Sequence, residues 1–285
     1  MRARSAARPP GSSADVMVTW NEAAPPALAA LTPRQKLRGA ARLAGVLSVT
    51  AVALGLFLLG KALRRRLGPA IQFHFMAARY WSRIMLRLMG VRWRVVGEPI
   101  RGGGVIAANH ASWADILALR ATRRLNFVSK AEVRDWPYVG WIADQCDTVF
   151  IERRRSATRT QQDVLRQRLD NHETLVLFPE GTSSDGLRVL PFKSALLSFL
   201  FEDGVRETAR VQAATVNWTA PPDQPAAFYG WWGAMPFEGH IWDVLCRSVG
   251  GAVEVVFAPP HAVDAFPSRK AMALTLETEV RAAKR

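Results

Sequence analysis

Asn109-His110-Ala111-Ser112-Trp113-Ala114-Asp115 sets an imidazole and a carboxylate five positions apart. An imidazole steadied by a carboxylate takes a proton from a hydroxyl, which is the general-base half of a transfer reaction. In one regular helix the two side chains would stand about 140° apart and could not meet. If His110 occupies a turn and Asp115 the first turn of the following helix, the ring folds back over the carboxylate. One ring nitrogen is then held and the other is left for a substrate hydroxyl. Asn109 or Ser112 is available to cap that helix. Taken alone, the pair fits a structural histidine beside a helix-start acid equally well. No further ligands lie at a workable spacing, so no metal site is expected.

A second segment is Phe178-Pro179-Glu180-Gly181-Thr182, at the end of the apolar run Leu175-Val176-Leu177. Gly181 permits a turn that most residues resist. Glu180 leaves a buried strand end, where an unpaired carboxylate is costly. It is expected to bond substrate hydroxyls or to pair with a basic residue; the alternative is a plain turn acid. Between the two segments, Thr148-Val149-Phe150-Ile151-Glu152 delivers Arg153, Arg154 and Arg155 to a strand end. Guanidinium groups hold phosphate bidentately, and Arg153 is the one assigned that role here, with Arg154 and Arg155 read as a solvated cluster. Lys193, in Pro191-Phe192-Lys193-Ser194, opens a helix where backbone N–H groups favour anions. A surface lysine at a helix start is the alternative.

These segments need a scaffold. From Val91 onward the pattern alternates strands (Val91–Gly97, Gly104–Ala108, Asn126–Ser129, Thr148–Glu152, Thr174–Phe178, Val211–Asn217, Val253–Ala258) with helices (Trp113–Arg120, Ala157–Asn171, Lys193–Glu202, Arg269–Ala283). Alternation of this kind predicts an α/β fold with a mixed, mainly parallel sheet flanked by helices. Ligand sites in such sheets gather where strands end, and both opening motifs fall at strand ends. Trp231 and Trp232 lie in a Gly/Pro/aromatic loop that could touch lipid or line an apolar pocket.

The region before the sheet has a different character. Residues 1–33 are rich in Ala, Pro, Ser and Arg and read as a mobile tail. Residues 34–90 read as a membrane-anchoring helical region, and 91–285 as the catalytic domain. Leu43 to Gly60 carries no charge and spans about 27 Å as a helix, just enough for a hydrocarbon core. A buried or half-inserted helix is the alternative. Arg79, Arg83 and Arg87 repeat every fourth residue in an apolar and aromatic stretch, which suits a helix at a bilayer interface. The net charge is +14. Much of that excess flanks the apolar run (Arg34, Lys36, Arg38, Arg42, then Lys61, Arg64, Arg65, Arg66), which favours an anionic membrane over nucleic acid. A non-enzymatic basic protein that binds membranes or nucleic acid is the remote alternative. Cys146 and Cys246 are isolated and give neither a disulfide framework nor a metal pair.

Together the segments resemble the glycerolipid acyltransferase family, typified by 1-acyl-sn-glycerol-3-phosphate acyltransferases. NHxSxxD matches Asn109 to Asp115 at every fixed position. The strand ending in an arginine matches Phe150 to Arg153, and FPEGT matches Phe178 to Thr182 without change. The resemblance covers about Val91 to Ala258. It implies acyl transfer from acyl-CoA or acyl-carrier protein to a lysolipid hydroxyl, with His110 as base and Asp115 orienting it. Arg153, Glu180, Gly181, Thr182 and Lys193 would bind the acceptor. Backbone donors of the His110 turn, or a basic side chain, would hold the oxyanion. No cofactor is implied beyond the donor thioester. The expected setting is the bacterial inner membrane, with the catalytic domain facing the cytoplasm. Family members often carry Arg where this chain has Ser183, a departure that bears on the acceptor more than on the reaction. The first expectation is therefore acylation of 1-acyl-sn-glycerol 3-phosphate to phosphatidic acid, with another lysolipid such as lyso-ornithine lipid as the alternative.

Overall fold

The structure is a computed structural model that describes residues 20–68, 73–135, 140, 143, 148–151 and 158–285. Its frame is an eight-stranded sheet: β1 (Val91–Val96), β2 (Gly104–Ala108), β3 (Asn126–Lys130), β4 (Val149–Ile151), β5 (Thr174–Leu177), β6 (Arg210–Thr219), β7 (Gly251–Phe257) and β8 (His261–Ala262). The strand order is β1-β7-β6-β2-β5-β3-β4, with the short β8 on β6. β6 runs antiparallel to β7 and β8; the pairings β1–β7, β2–β6, β2–β5, β3–β5 and β3–β4 are parallel. β2 and β5 are buried along their whole length, as strands covered on both faces must be.

Two hydrophobic layers cover the sheet. One holds Leu86, Ile106, Leu119, Val216 and Leu245 beneath α1 (Pro33–Leu67), α2 (Phe73–Leu88), α3 (Asp115–Arg120) and α5 (Phe237–Arg247). The other holds Val105, Leu175, Leu197, Val211 and Leu276 beneath α4 (Thr158–Asp170), a 3-10 segment (Ser194–Phe201) and α6 (Arg269–Ala283). The helix expected over Lys193–Glu202 is this 3-10 segment. Its turns close three residues back, as in Leu196 N–H to Lys193 C=O, and the Ser198 hydroxyl occupies the Ala195 carbonyl. Helix α5 was not expected, because Gly239 and the preceding aromatic loop hide its periodicity.

Thr32, Pro33 and Gln35 start α1. The Thr32 hydroxyl accepts from Gln35 N–H, and the Gln35 side chain accepts from Thr32 N–H, a closed capping box. Gly68, at φ +100°, ends the helix. Within Leu43–Gly60 only Phe57 and Gly60 are buried, while Leu47, Val52, Leu56 and Leu59 are exposed. An apolar helix left this bare by its own protein is long and apolar enough to cross a membrane.

Two expectations about this region change. Residues 20–32 are tied to the domain at several points, with Trp20 buried and most of the rest exposed. The Trp232 indole donates to Ala23 C=O, and Arg247 donates to Ala29 C=O. Two of the three stripe arginines of α2, Arg79 and Arg83, turn toward the protein, while Arg87 is exposed. Arg79 and Arg83 both donate to Ala121 C=O, just beyond the C-terminus of α3, where backbone carbonyls attract cations. Arg83 also lies 5.0 Å over the Trp93 ring. The outward stripe of α2 is Phe73, Met76, Tyr80 and Ile84, closed by Arg87.

Candidate active site

His110 and Asp115 meet. The His110 Nδ1 stands 2.9 Å from Asp115 Oδ2. His110 lies in the turn after β2, and Asp115 opens α3, so the ring folds back over the carboxylate. Asp115 is fully buried and surrounded by donors. Its Oδ2 also accepts from Ala111 N–H and Ser112 N–H, each at 2.8 Å. Its Oδ1 accepts from the Trp218 indole at 2.6 Å. A carboxylate held by three other donors is a fixed acceptor for the imidazole, which carries its proton on Nδ1 and presents Nε2.

The ring is oriented from both sides. Phe178 stacks on it with centroids 4.0 Å apart and planes at 15°. Glu180 holds its backbone: Oε2 accepts from His110 N–H at 3.3 Å and Oε1 from Leu190 N–H at 3.2 Å. Glu180 is 1% exposed, and burial pushes its carboxyl well above the usual range, against the lowering effect of the two N–H donors. It is turned inward and does not present oxygens to an acceptor, a correction to the expected role. The three N–H groups of His110, Ala111 and Ser112 are spent on Glu180 and Asp115, so this part of the turn does not supply oxyanion donors.

Asn109 does not cap a helix. The β2–β6 ladder ends at Ala108 opposite Ala214. The Asn109 side chain then continues it, accepting from Val216 N–H at 2.7 Å and donating to Val216 C=O at 3.0 Å. This amide bridge places His110 beside the end of β6, where Trp218 reaches Asp115.

Gly181 adopts φ +70°, and Lys193 lies over it, within 3.0 Å of where a Cβ would stand. Lys193 is exposed. The Thr182 hydroxyl accepts from the Trp20 backbone N–H at 3.1 Å, so Trp20 lies against this motif. The Ser183 hydroxyl donates to Trp231 C=O at 2.6 Å. Arg153 lies outside the described residues. Among the described residues no three His, Cys, Asp or Glu side chains gather as a metal site needs.

The His110 ring opens on a cavity of about 320 Å³. Its walls are almost wholly apolar: Ala53, Leu54 and Phe57 of α1, Trp81 of α2, and Phe127 and Phe178 from the sheet edge. Trp231 and Trp232 do not line it; Trp232 is buried, and Trp231 N–H donates to Ala111 C=O. A cavity of this kind suits an aliphatic chain whose reacting end lies at His110.

Three contributors escaped the sequence reading: Trp218, His240 and the Phe178 stack. The Trp113 indole donates to His240 Nδ1 at 2.9 Å, and His240 Nε2–H donates to Phe228 C=O at 3.3 Å. His240 is buried, and desolvation lowers its pKa to about 4, so it is a neutral prop for the turn. Trp218 had one usable signal, an indole donor just past the expected strand end at Asn217.

Residues 92–206 match the Acyltransferase family model. The chain is 46% identical to a lyso-ornithine lipid O-acyltransferase of Rhodobacter capsulatus, over 70% of this chain and 72% of that one. It is 40% identical to the enzyme of the same name from Brucella abortus, over 71% and 79%. A 1-acyl-sn-glycerol-3-phosphate acyltransferase of Neisseria gonorrhoeae is 37% identical over 40% of this chain and 46% of its own. The crystal structure of the 1-acyl-sn-glycerophosphate acyltransferase of Thermotoga maritima shares the fold at TM-score 0.63 and 20% identity, over 87% of this chain and 95% of that one. The relatives define an acyl-transfer enzyme, and the chain belongs to the glycerolipid acyltransferase family. It is an O-acyltransferase acting on lysolipids.

Proposed function

We propose that this protein is a lyso-ornithine lipid O-acyltransferase of the bacterial inner membrane, with its catalytic domain on the cytoplasmic side. The carrying observation is the 2.9 Å His110–Asp115 contact at the mouth of an apolar cavity. The acceptor reading draws its support from the relatives named for that activity, which align over about 70% of the chain. Ser183 supports it too: where family members often carry a cation, this hydroxyl is bonded to a carbonyl.

In the proposed reaction His110 Nε2 takes the proton of the acceptor hydroxyl as its oxygen attacks the thioester carbonyl carbon. The tetrahedral intermediate collapses with cleavage of the C–S bond, and the imidazolium returns the proton to the departing thiolate. The products are the acylated lipid and free thiol of CoA or carrier protein. Asp115 stabilises the imidazolium throughout, in a buried setting where that attraction is strong. No acyl-enzyme and no further cofactor enter this scheme. The bare face of α1 and the outward stripe of α2 support membrane attachment, where acceptor and product reside.

A second reading, acylation of 1-acyl-sn-glycerol 3-phosphate, is favoured by the unchanged FPEGT segment and by the Neisseria relative. Purified protein given both lysolipids with one acyl thioester separates them. Mass spectrometry should find acylated ornithine lipid as the main product; phosphatidic acid alone would overturn the acceptor assignment.

A further inference from the structure

Among the described residues Arg120 is the one charged side chain in the wall of the reaction cavity besides His110, and nothing in the proton-transfer scheme uses it. It ends α3 and is 8% exposed. It also lines a narrow groove with Arg123, Arg124 and Asn126. One terminal nitrogen donates to Leu125 C=O at 3.3 Å, and the guanidinium lies 5.3 Å from the Phe127 ring. Its Nε is buried with no partner. Among the described residues no carboxylate pairs with it. Arg247, the other buried arginine among the described residues, differs in this respect: its Nε donates to Asp243 at 2.7 Å. A buried cation without a counter-ion is costly. The cost is relieved if an anion arrives with a ligand.

Among the described residues the other cations near the turn are engaged or outside the cavity. Arg188 pairs with Asp185 at 2.9 Å, and Lys193 is exposed beyond Gly181. The ligand entering an apolar cavity with a cation in its wall must be amphiphilic, with an aliphatic chain and an anionic group. Asp115 and Arg120 open and close α3, about 7.5 Å apart along its axis, and Arg120 shares one cavity wall with His110, so the anionic group belongs to the same ligand as the atom at His110. A lipid built on the α-amine of ornithine keeps the carboxylate of the amino acid, and a guanidinium fork matches a carboxylate.

We propose that Arg120 is a specificity residue that receives the carboxylate of the acceptor's amino-acid headgroup while His110 receives its hydroxyl. The assignment rests on the lyso-ornithine reading above. The test uses the full-length protein in detergent micelles, with lyso-ornithine lipid and its methyl ester as acceptors for wild type, Arg120→Lys and Arg120→Gln. Wild type should prefer the acid over the ester in kcat/KM by about 30-fold, the range of one charged hydrogen-bonded contact. Arg120→Gln should bring that ratio close to one, with the ester rate near that of wild type, and Arg120→Lys should fall between. A merely structural arginine would lower both rates together and leave the ratio unchanged, which would overturn the proposal. A wild-type ratio near one overturns it without any variant. Wild-type turnover of lysophosphatidic acid with none of lyso-ornithine lipid would instead remove the functional reading, and this assignment with it.

Discussion

Trp218 and Asp115, 103 positions apart in the chain, share a 2.6 Å hydrogen bond from indole N–H to carboxylate. β6 brings the tryptophan to the turn that carries His110, so the end of one strand fixes the orientation of a side chain that opens a helix. Replacement by phenylalanine keeps an aromatic ring against Tyr229 but removes the donor. Trp218→Phe should lower kcat about 10-fold, the worth of one hydrogen bond to a charged group, with KM for the acceptor within about twofold. Thiol release from the acyl donor measures both; unchanged kcat would show that Asp115 needs no help from β6.

Glu180 accepts at both oxygens, from His110 N–H and Leu190 N–H. An amide has only one accepting oxygen. Glu180→Gln should therefore leave one N–H facing an NH2 group and cost about 1–3 kcal/mol of stability. Because one of those N–H groups belongs to His110, activity should fall more than stability alone explains. Chemical denaturation together with activity at matched folded fractions checks this.

His240 supplies a pH signature. Its pKa of about 4 lies below the 6.5 of an exposed histidine, so the unfolded chain binds more protons between those values. Stability should then rise with pH from about 4 to 6.5, and fall on acidification through the same window by on the order of 3 kcal/mol. His240→Gln removes this contribution. Denaturant titrations across the window should show a flatter slope for the variant; equal slopes would place the proton elsewhere.

The segment 20–32 predicts a stability effect far from the sheet. Trp20 is buried against Trp232 and Arg188, and its N–H bonds Thr182. Trp20→Ala should cost about 3 kcal/mol, the scale of a large aromatic truncation, seen as a lowered thermal midpoint. A free tail would show no change.

The sheet strands and the two motifs could be read from the chain because their signals are local: apolar runs of strand length, and a histidine and carboxylate on either side of a turn. The contacts that finish the site are not local. Asn109 bridges to β6, Trp218 reaches Asp115, and Trp113 rests on His240. None of these partners is near in sequence, so periodicity carries no trace of them. The arginines of α2 mislead for a related reason. Their spacing marks a face, but the carbonyl end of α3 draws Arg79 and Arg83 inward and leaves only Arg87 exposed. The Ala/Pro-rich composition of residues 20–32 likewise hides Trp20, whose burial depends on an aromatic loop more than 200 positions away.

The proton path through His110 is tested most directly by His110→Ala, with thiol release and lipid product followed together on lyso-ornithine lipid. The variant should keep the wild-type thermal midpoint to within a few degrees and lose about 1000-fold in kcat, the middle of the range that general-base catalysis contributes. Acylated product forming at near the wild-type rate would contradict the account.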